Sequence, residues 1–169
     1  MKSHWYGDYV SEKATPLYPF GHGLSYTTFE YGNLSINPEQ AVSDQKVDIS
    51  VRVTNTGSMR GDEVVQLYTC DEVASLPRPV KELKGYARLT IEPGASRTVT
   101  FNLPVAQMAF YDAELNLVLE PGRISVMIGS SSSDIRLKGS FEILGEGKIP
   151  VKERVFVSQV DIREMNSDN

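Results

Sequence analysis

Sulfur and imidazole are scarce in this chain. Its 169 residues include one cysteine, Cys70, and two histidines, His4 and His22. A single cysteine closes no intrachain disulfide and assigns no redox compartment. No positively charged neighbour stands beside Cys70 in the sequence to lower its pKa, so it reads as a small apolar strand residue rather than a reactive thiol. Two histidines and one cysteine provide no set of three or four ligands at metal spacing, and no metal or other cofactor is expected. Clustered positive charge is also missing. Seventeen Lys and Arg stand against 22 Asp and Glu, a formal net charge of -5 without a basic block, which argues against nucleic acid and against an anionic membrane as partners. No run of about 18 apolar residues occurs, and Met1-Lys2-Ser3-His4-Trp5 has no apolar core of the signal-peptide kind. Neither a membrane span nor an export signal is read, and a cytoplasmic location is the default expectation.

What is present is a β-rich chain with 40% hydrophobic residues, enough for one domain with a core. The organising stretch runs from Val47 to Tyr68. Val47, Ile49, Val51 and Val53 alternate with Asp48, Ser50, Arg52 and Thr54, the period of two that gives a strand one dry face. Asn55, Gly57 and Gly61 tolerate turn geometry, and Val64 to Tyr68 is a second β-rich arm, so the expectation is an antiparallel hairpin with an exposed polar loop.

Along the chain, residues 1–15 show no periodicity and read as a linker. Pro16 to Phe29 holds two prolines and two glycines that forbid a helix, with aromatics that call for burial, so it is expected to be extended and pinned to a larger body. Strands are predicted over Phe29–Ile36, Lys84–Ile91, Arg97–Leu103, Phe110–Asp112, Leu115–Glu120, around Ile124, Val126 and Ile128, and over Ile135–Ile143. Pro77 and Pro79 suit a sheet edge or a crossing between sheets. Glu92-Pro93-Gly94-Ala95 has the type II turn signature, Glu120-Pro121-Gly122 repeats it, and a helical turn or bend is placed over Pro104–Met108. About seven strands at intervals of roughly 10 residues, with no convincing helix, predict an all-β sandwich of two sheets. The rows Val47/Ile49/Val51/Val53, Val99/Phe101/Leu103 and Ile124/Val126/Ile128 are expected to form one core between them.

Several motifs then carry a family resemblance. Pro19 through Phe29 (PFGHGLSYTTF), Val53 to Gly57 with Gly61 to Tyr68, Arg78 to Gly85, and Glu120-Pro121-Gly122 through Gly129 to Ser132 resemble the fibronectin type III-like domain of glycoside hydrolase family 3 β-glucosidases and β-xylosidases. The resemblance is colinear from about Trp5 to Ile143. It implies an immunoglobulin-like sandwich over 29–143, a linker remnant over 1–28, and an extension over 144–169 that forms one more strand or stays disordered. Members of that family are retaining glycosidases with a nucleophilic and an acid/base carboxylate about 5 Å apart. The resemblance places both in other domains of the enzyme, with the Trp5-Tyr6 pair resembling the end of the preceding one. Asp62, Glu63, Glu82, Asp112 and Glu114 therefore read as solvated or strand-stabilising charges.

The expected function is that of a non-catalytic accessory domain bracing catalytic domains in an enzyme that is itself exported or cytoplasmic. Trp5, Tyr6, Tyr18, Phe20, His22 and Tyr26 are the expected contact residues, with His22 hydrogen-bonding the linker to the sandwich. The alternatives are a small esterase-like hydrolase, with Ser25 as nucleophile and His22 as base, and a carbohydrate-binding module. No G-x-S-x-G elbow supports the first, and Ser130 to Ser133 read as a loop. Tyr6, Tyr9, Tyr18, Tyr26 and Tyr31 read as packing aromatics before a sugar platform. Apolar residues separated from their former neighbours would pair with a second copy, so a homodimer or higher oligomer is expected alongside the missing catalytic domains as partner.

Overall fold

The computed structural model describes residues 16–164, and Trp5, Tyr6, Tyr9, His4 and the rest of the predicted linker up to residue 15 lie outside them. Twelve strands follow in chain order. They are β1 (Phe29–Asn37), β2 (Gln40–Ala41), β3 (Lys46–Asn55), β4 (Gly61–Asp71), β5 (Glu82–Ile91), β6 (Ser96–Pro104), β7 (Phe110–Tyr111), β8 (Leu117–Leu119), β9 (Gly122–Gly129), β10 (Ile135–Ile143), β11 (Ile149–Pro150) and β12 (Gln159–Glu164). One 3-10 turn, Val105–Met108, follows β6 where a helical turn was expected. The strands form a four-stranded sheet in the order β1-β3-β6-β12, a five-stranded sheet in the order β2-β10-β9-β4-β5, and a small third sheet, β11-β8-β7. Every pairing is antiparallel except that of β2 with β10. No helix among the described residues is long and apolar enough to cross a membrane.

The three alternating rows meet as expected. Val47 lies opposite Leu103, Ile49 opposite Phe101 and Val51 opposite Val99 in the β3–β6 ladder. Against them the second sheet brings Ile124, Val126 and Ile128, together with Val65, Leu67, Leu89, Ile91 and Phe141, and all of these side chains are buried in one cluster. Each large aliphatic or aromatic side chain withdrawn from water contributes about 1.5–3 kcal/mol, which makes this two-sheet core the main source of stability.

The expected hairpin over Val47–Tyr68 does not form. β3 pairs with β1 and β6, whereas β4 pairs with β5 and β9 in the other sheet, so the polar loop over 56–60 is a crossing between sheets. Asn55 explains the crossing. It is fully buried, its amide nitrogen donates to the Met59 and Ile91 carbonyls, and its side-chain oxygen accepts from Gly57 N–H and the Thr27 hydroxyl. With these four bonds the side chain holds the loop in an arch over the end of the sandwich.

Of the two expected Pro-Gly turns, one forms and one is corrected. Glu92 to Ala95 closes as the expected turn, with Gly94 at φ 73° and a 3.0 Å bond from Ala95 N–H to the Glu92 carbonyl. The Glu120-Pro121-Gly122 segment instead leads directly into β9, because Gly122 already pairs with Ile143. Beyond Ile143, the short β11 pairs with β8, and β12 adds antiparallel to β6 as an edge, the extra strand that was one of the two expectations for the extension.

β4 departs most from simple alternation, because Val65 through Thr69 are all buried. Val65 and Leu67 face the core. Gln66 and Tyr68, joined by a hydrogen bond, point to the outer face of the five-stranded sheet, where the N-terminal segment reaches Gln66.

Candidate functional site

That N-terminal segment is a strap over residues 16–28. Its anchors are hydrogen bonds from distant segments: Gln66 Nε2 donates to the Gly21 carbonyl at 3.1 Å, Ser132 N–H to the Phe20 carbonyl at 2.9 Å, and Thr56 N–H to the Thr28 carbonyl at 2.9 Å. Gly21 is required at its position, with φ 78° and no room for a Cβ above the Gln66 amide. The anchoring role expected of His22 falls to the carbonyls of Phe20 and Gly21. His22 turns back on the strap, its N–H donating to the Pro19 carbonyl and its ring stacked on Tyr18 at a centroid separation of 5.1 Å. The carbonyl of the adjacent Gly21 reaches Gln66 on β4, whereas the His22 imidazole makes no hydrogen bond to the sheet among the described residues.

Although the strap is anchored, its side chains stay open to solvent. Leu17, Leu24 and Tyr26 are 87%, 92% and 99% exposed, and Tyr18 and Phe20 keep about two thirds of their surface. The aromatics from Tyr18 to Tyr26 are therefore not buried within the described residues.

Between the strap, the outer face of β4 and β5, and the 130–134 loop lies a cleft of about 790 Å³. His22 and Ser25 both line it, as do Phe20, Gln66, Tyr86 and Arg88. Gln66 forms a closed floor: its amide nitrogen also donates to the Ser130 carbonyl, and its oxygen accepts the Tyr68 hydroxyl. The serine run is the expected loop, knotted by Ser130 Oγ donating to the Asp134 carboxylate and by Asp134 N–H donating to Ser131 Oγ.

Ion pairs set the electrostatics of this cleft. Asp62 accepts from the Thr90 hydroxyl at 2.8 Å and from two nitrogens of Arg88, and these bonds hold its carboxyl below the usual range. Asp134 accepts from Arg136 and Ser130 and is lowered for the same reason. Glu63, next to Asp62 on β4 but of the parity shared by the core-facing Val65 and Leu67, goes the opposite way: burial pushes its carboxyl up despite the nearby Arg136. The Arg136 guanidinium sits 4.6 Å above the Tyr31 ring, and burial drives the enclosed Tyr31 hydroxyl far above the usual phenol range.

No pair of carboxylates is arranged here for glycoside cleavage. Asp62 is committed to Arg88, and Glu82 lies at the opposite end of β5 between Arg78 and Lys84. Asp112 caps its own turn by accepting from the N–H groups of Glu114 and Asn116. Ser25 Oγ accepts from Thr27 N–H, and no hydrogen bond joins it to His22 among the described residues. Burial, with Asp71 and Glu72 alongside, pushes the Cys70 thiol up, away from thiolate reactivity. No three His, Cys, Asp or Glu side chains converge as a metal-holding group among the described residues.

A second polar cluster ties the C-terminal extension to the sandwich. Lys84, buried, donates to Glu82 and to the Gln107 carbonyl, and the buried Ser158 hydroxyl lies 2.9 Å from both the Lys84 carbonyl and the Gln107 side-chain oxygen. Tyr86, Arg88 and Ser158 carry no sequence motif. The only signal that could have singled out Tyr86 and Arg88 is their shared parity on β5, opposite the buried Ala87 and Leu89.

Residues 63–132 match the family described as fibronectin type III-like domain. The chain is 43% identical over 136 residues to the periplasmic β-glucosidase of Salmonella typhimurium, covering 80% of this chain and 18% of that protein. It is 38% identical over 165 residues to thermostable β-glucosidase B of Acetivibrio thermocellus, covering 97% of this chain and 22% of the other. Among solved structures, a β-glucosidase from Listeria innocua in complex with glucose superposes with a TM-score of 0.75 at 35% identity, over 85% of this chain and 20% of that one. β-Glucosidase 3B from Thermotoga neapolitana gives 0.72 at 34% identity, over 81% and 19%. The chain thus spans about a fifth of the length of the relatives it matches.

Proposed function

Because this chain is a fibronectin type III-like domain of the glycoside hydrolase family 3 kind, we propose that it acts as a non-catalytic accessory unit whose strap docks catalytic domains. One observation carries this reading: Leu17, Tyr18, Phe20, Leu24 and Tyr26 stand open on a segment that hydrogen bonds hold firmly to the sandwich. An apolar face on an ordered scaffold is a site of contact, because covering it releases ordered water at no cost in folding the segment. Asp62, Glu82 and Asp112 support the reading, since the first two are engaged by cations and the third by its own turn. In the absence of catalytic domains the same face is expected to pair two copies of the chain.

The test is direct. The purified chain, incubated with chromogenic β-glucosides, β-xylosides and short acyl esters, is expected to turn over none of them. Turnover of any one, abolished by Ser25→Ala or by replacement of a single carboxylate, would overturn the accessory role. Light scattering at micromolar concentration is expected to give a dimer or larger closed oligomer that Tyr26→Ser combined with Leu24→Ser returns to monomer.

A further inference from the structure

We propose that the cleft between the strap and β5 binds a neutral saccharide, in competition with docking by the strap because Phe20 and Leu24 belong to both surfaces. Its volume of about 790 Å³ falls within the range of small-molecule sites, about 300–1,000 Å³. Two aromatic rings on separate elements line it, Phe20 from the strap and Tyr86 from β5. They are 64% and 66% exposed, and so present faces on which the C–H surface of a sugar ring can stack.

The polar lining suits hydroxyl groups. In the Asp62–Arg88–Thr90 cluster the guanidinium uses only two of its nitrogens on the carboxylate, and three hydrogen bonds occupy the two carboxylate oxygens. With five N–H donors on Arg and about four acceptor positions on a carboxylate, the pair keeps both donors and an acceptor free side by side. Adjacent sugar hydroxyls, each donor and acceptor at once, match that arrangement, whereas an apolar ligand would strand it unpaired.

Charge distinguishes the ligand further. Asp62, Glu63 and Asp134 line the cleft against Arg88 and Arg136, so no positive excess is left to attract a phosphate or a carboxylate. Both arginines are already paired, to Asp62 and to Asp134. A neutral saccharide loses nothing to this balance.

The site is testable on the 169-residue chain by two-dimensional amide NMR, with cellobiose, xylobiose and maltose as neutral probes and glucose 6-phosphate as the anionic one. At least one neutral probe is expected to give saturable shifts at residues lining the cleft, with glucose 6-phosphate binding more weakly. Tyr86→Ala and Arg88→Ala, both at exposed positions, are expected to weaken that binding about tenfold while leaving the rest of the spectrum in place. Tyr111→Ala, an exposed aromatic outside the cleft, is expected to leave it unchanged. Absence of shifts at tens of millimolar sugar would overturn the proposal. So would binding indifferent to both cleft variants, preference for the phosphorylated probe, or cleft shifts that follow protein concentration instead of sugar, which would mark a polypeptide occupant.

Discussion

The buried side-chain oxygen of Asn55 accepts a hydrogen bond from the Thr27 hydroxyl at 2.7 Å, joining the arch between the sheets to the end of the strap. Replacing Asn55 by Ala strands the Met59 and Ile91 carbonyls, the Gly57 N–H and the Thr27 hydroxyl at one stroke. Each buried group left without a partner costs about 1–3 kcal/mol, with part recovered by water at the arch, so Asn55→Ala is expected to lose about 2–4 kcal/mol. Thr27→Val removes one of the four bonds and is expected to lose about 1 kcal/mol. Urea unfolding of the two single variants and the double variant checks this, and strict additivity would show that the two residues are not coupled.

Glu63 predicts an unusual pH response. Burial raises its folded-state pKa above the ordinary glutamate value, with Asp134 adding to that effect and Arg136 opposing it, while the Tyr31 hydroxyl faces the same carboxyl. The fold therefore prefers protonated Glu63. Its stabilising contribution is complete below the ordinary glutamate pKa and is lost as pH rises through the raised value. Glu63→Gln, uncharged throughout, is expected to be more stable than the parent at about pH 7 and to lose that advantage by about pH 3. Thermal unfolding at the two pH values measures the difference, and an equal or lower stability of the variant at the higher pH would contradict it.

The C-terminal strand closes an edge. β12 runs in register with β6 from Gln159 opposite Asn102 to Glu164 opposite Arg97, and Ser158 caps the buried Lys84 and Gln107 groups. Little apolar surface holds it, since Val160 alone of its six residues is even half-buried. Deleting the chain from Ser158 onward bares the β6 backbone and unpairs that cluster, with an expected loss of about 1–3 kcal/mol. The bare edge also becomes a template for strand addition between molecules. Calorimetry and light scattering on the truncated chain check both effects, and a variant with parental stability and mass would show that β12 is dispensable.

The alternation of Val47, Ile49, Val51 and Val53 was legible in the sequence, as were the rows from Val99 and Ile124, because a strand with one dry face writes its own period. The Pro93-Gly94 turn was legible for a similar reason: φ at Gly94 is set by the residue itself. Pairing was not local in that sense. Asn55, Gly57 and Gly61 suit a hairpin turn and an arch between sheets equally, and only the Ile91 carbonyl on a distant strand, bonded to Asn55, decides for the arch. The same holds for the cleft. Gln66 stands at a position that alternation assigns to solvent, and it is buried where a strap some 45 residues earlier lies across it. Tyr86 and Arg88 become a shared wall with Phe20 only once that strap is in place. Period and turn chemistry are properties of neighbouring residues and travel with the sequence. Burial on the outer face of β4, the arch, and the grouping of Phe20 with Tyr86 depend on contacts between segments far apart in the chain, and these were decided only by the folded structure.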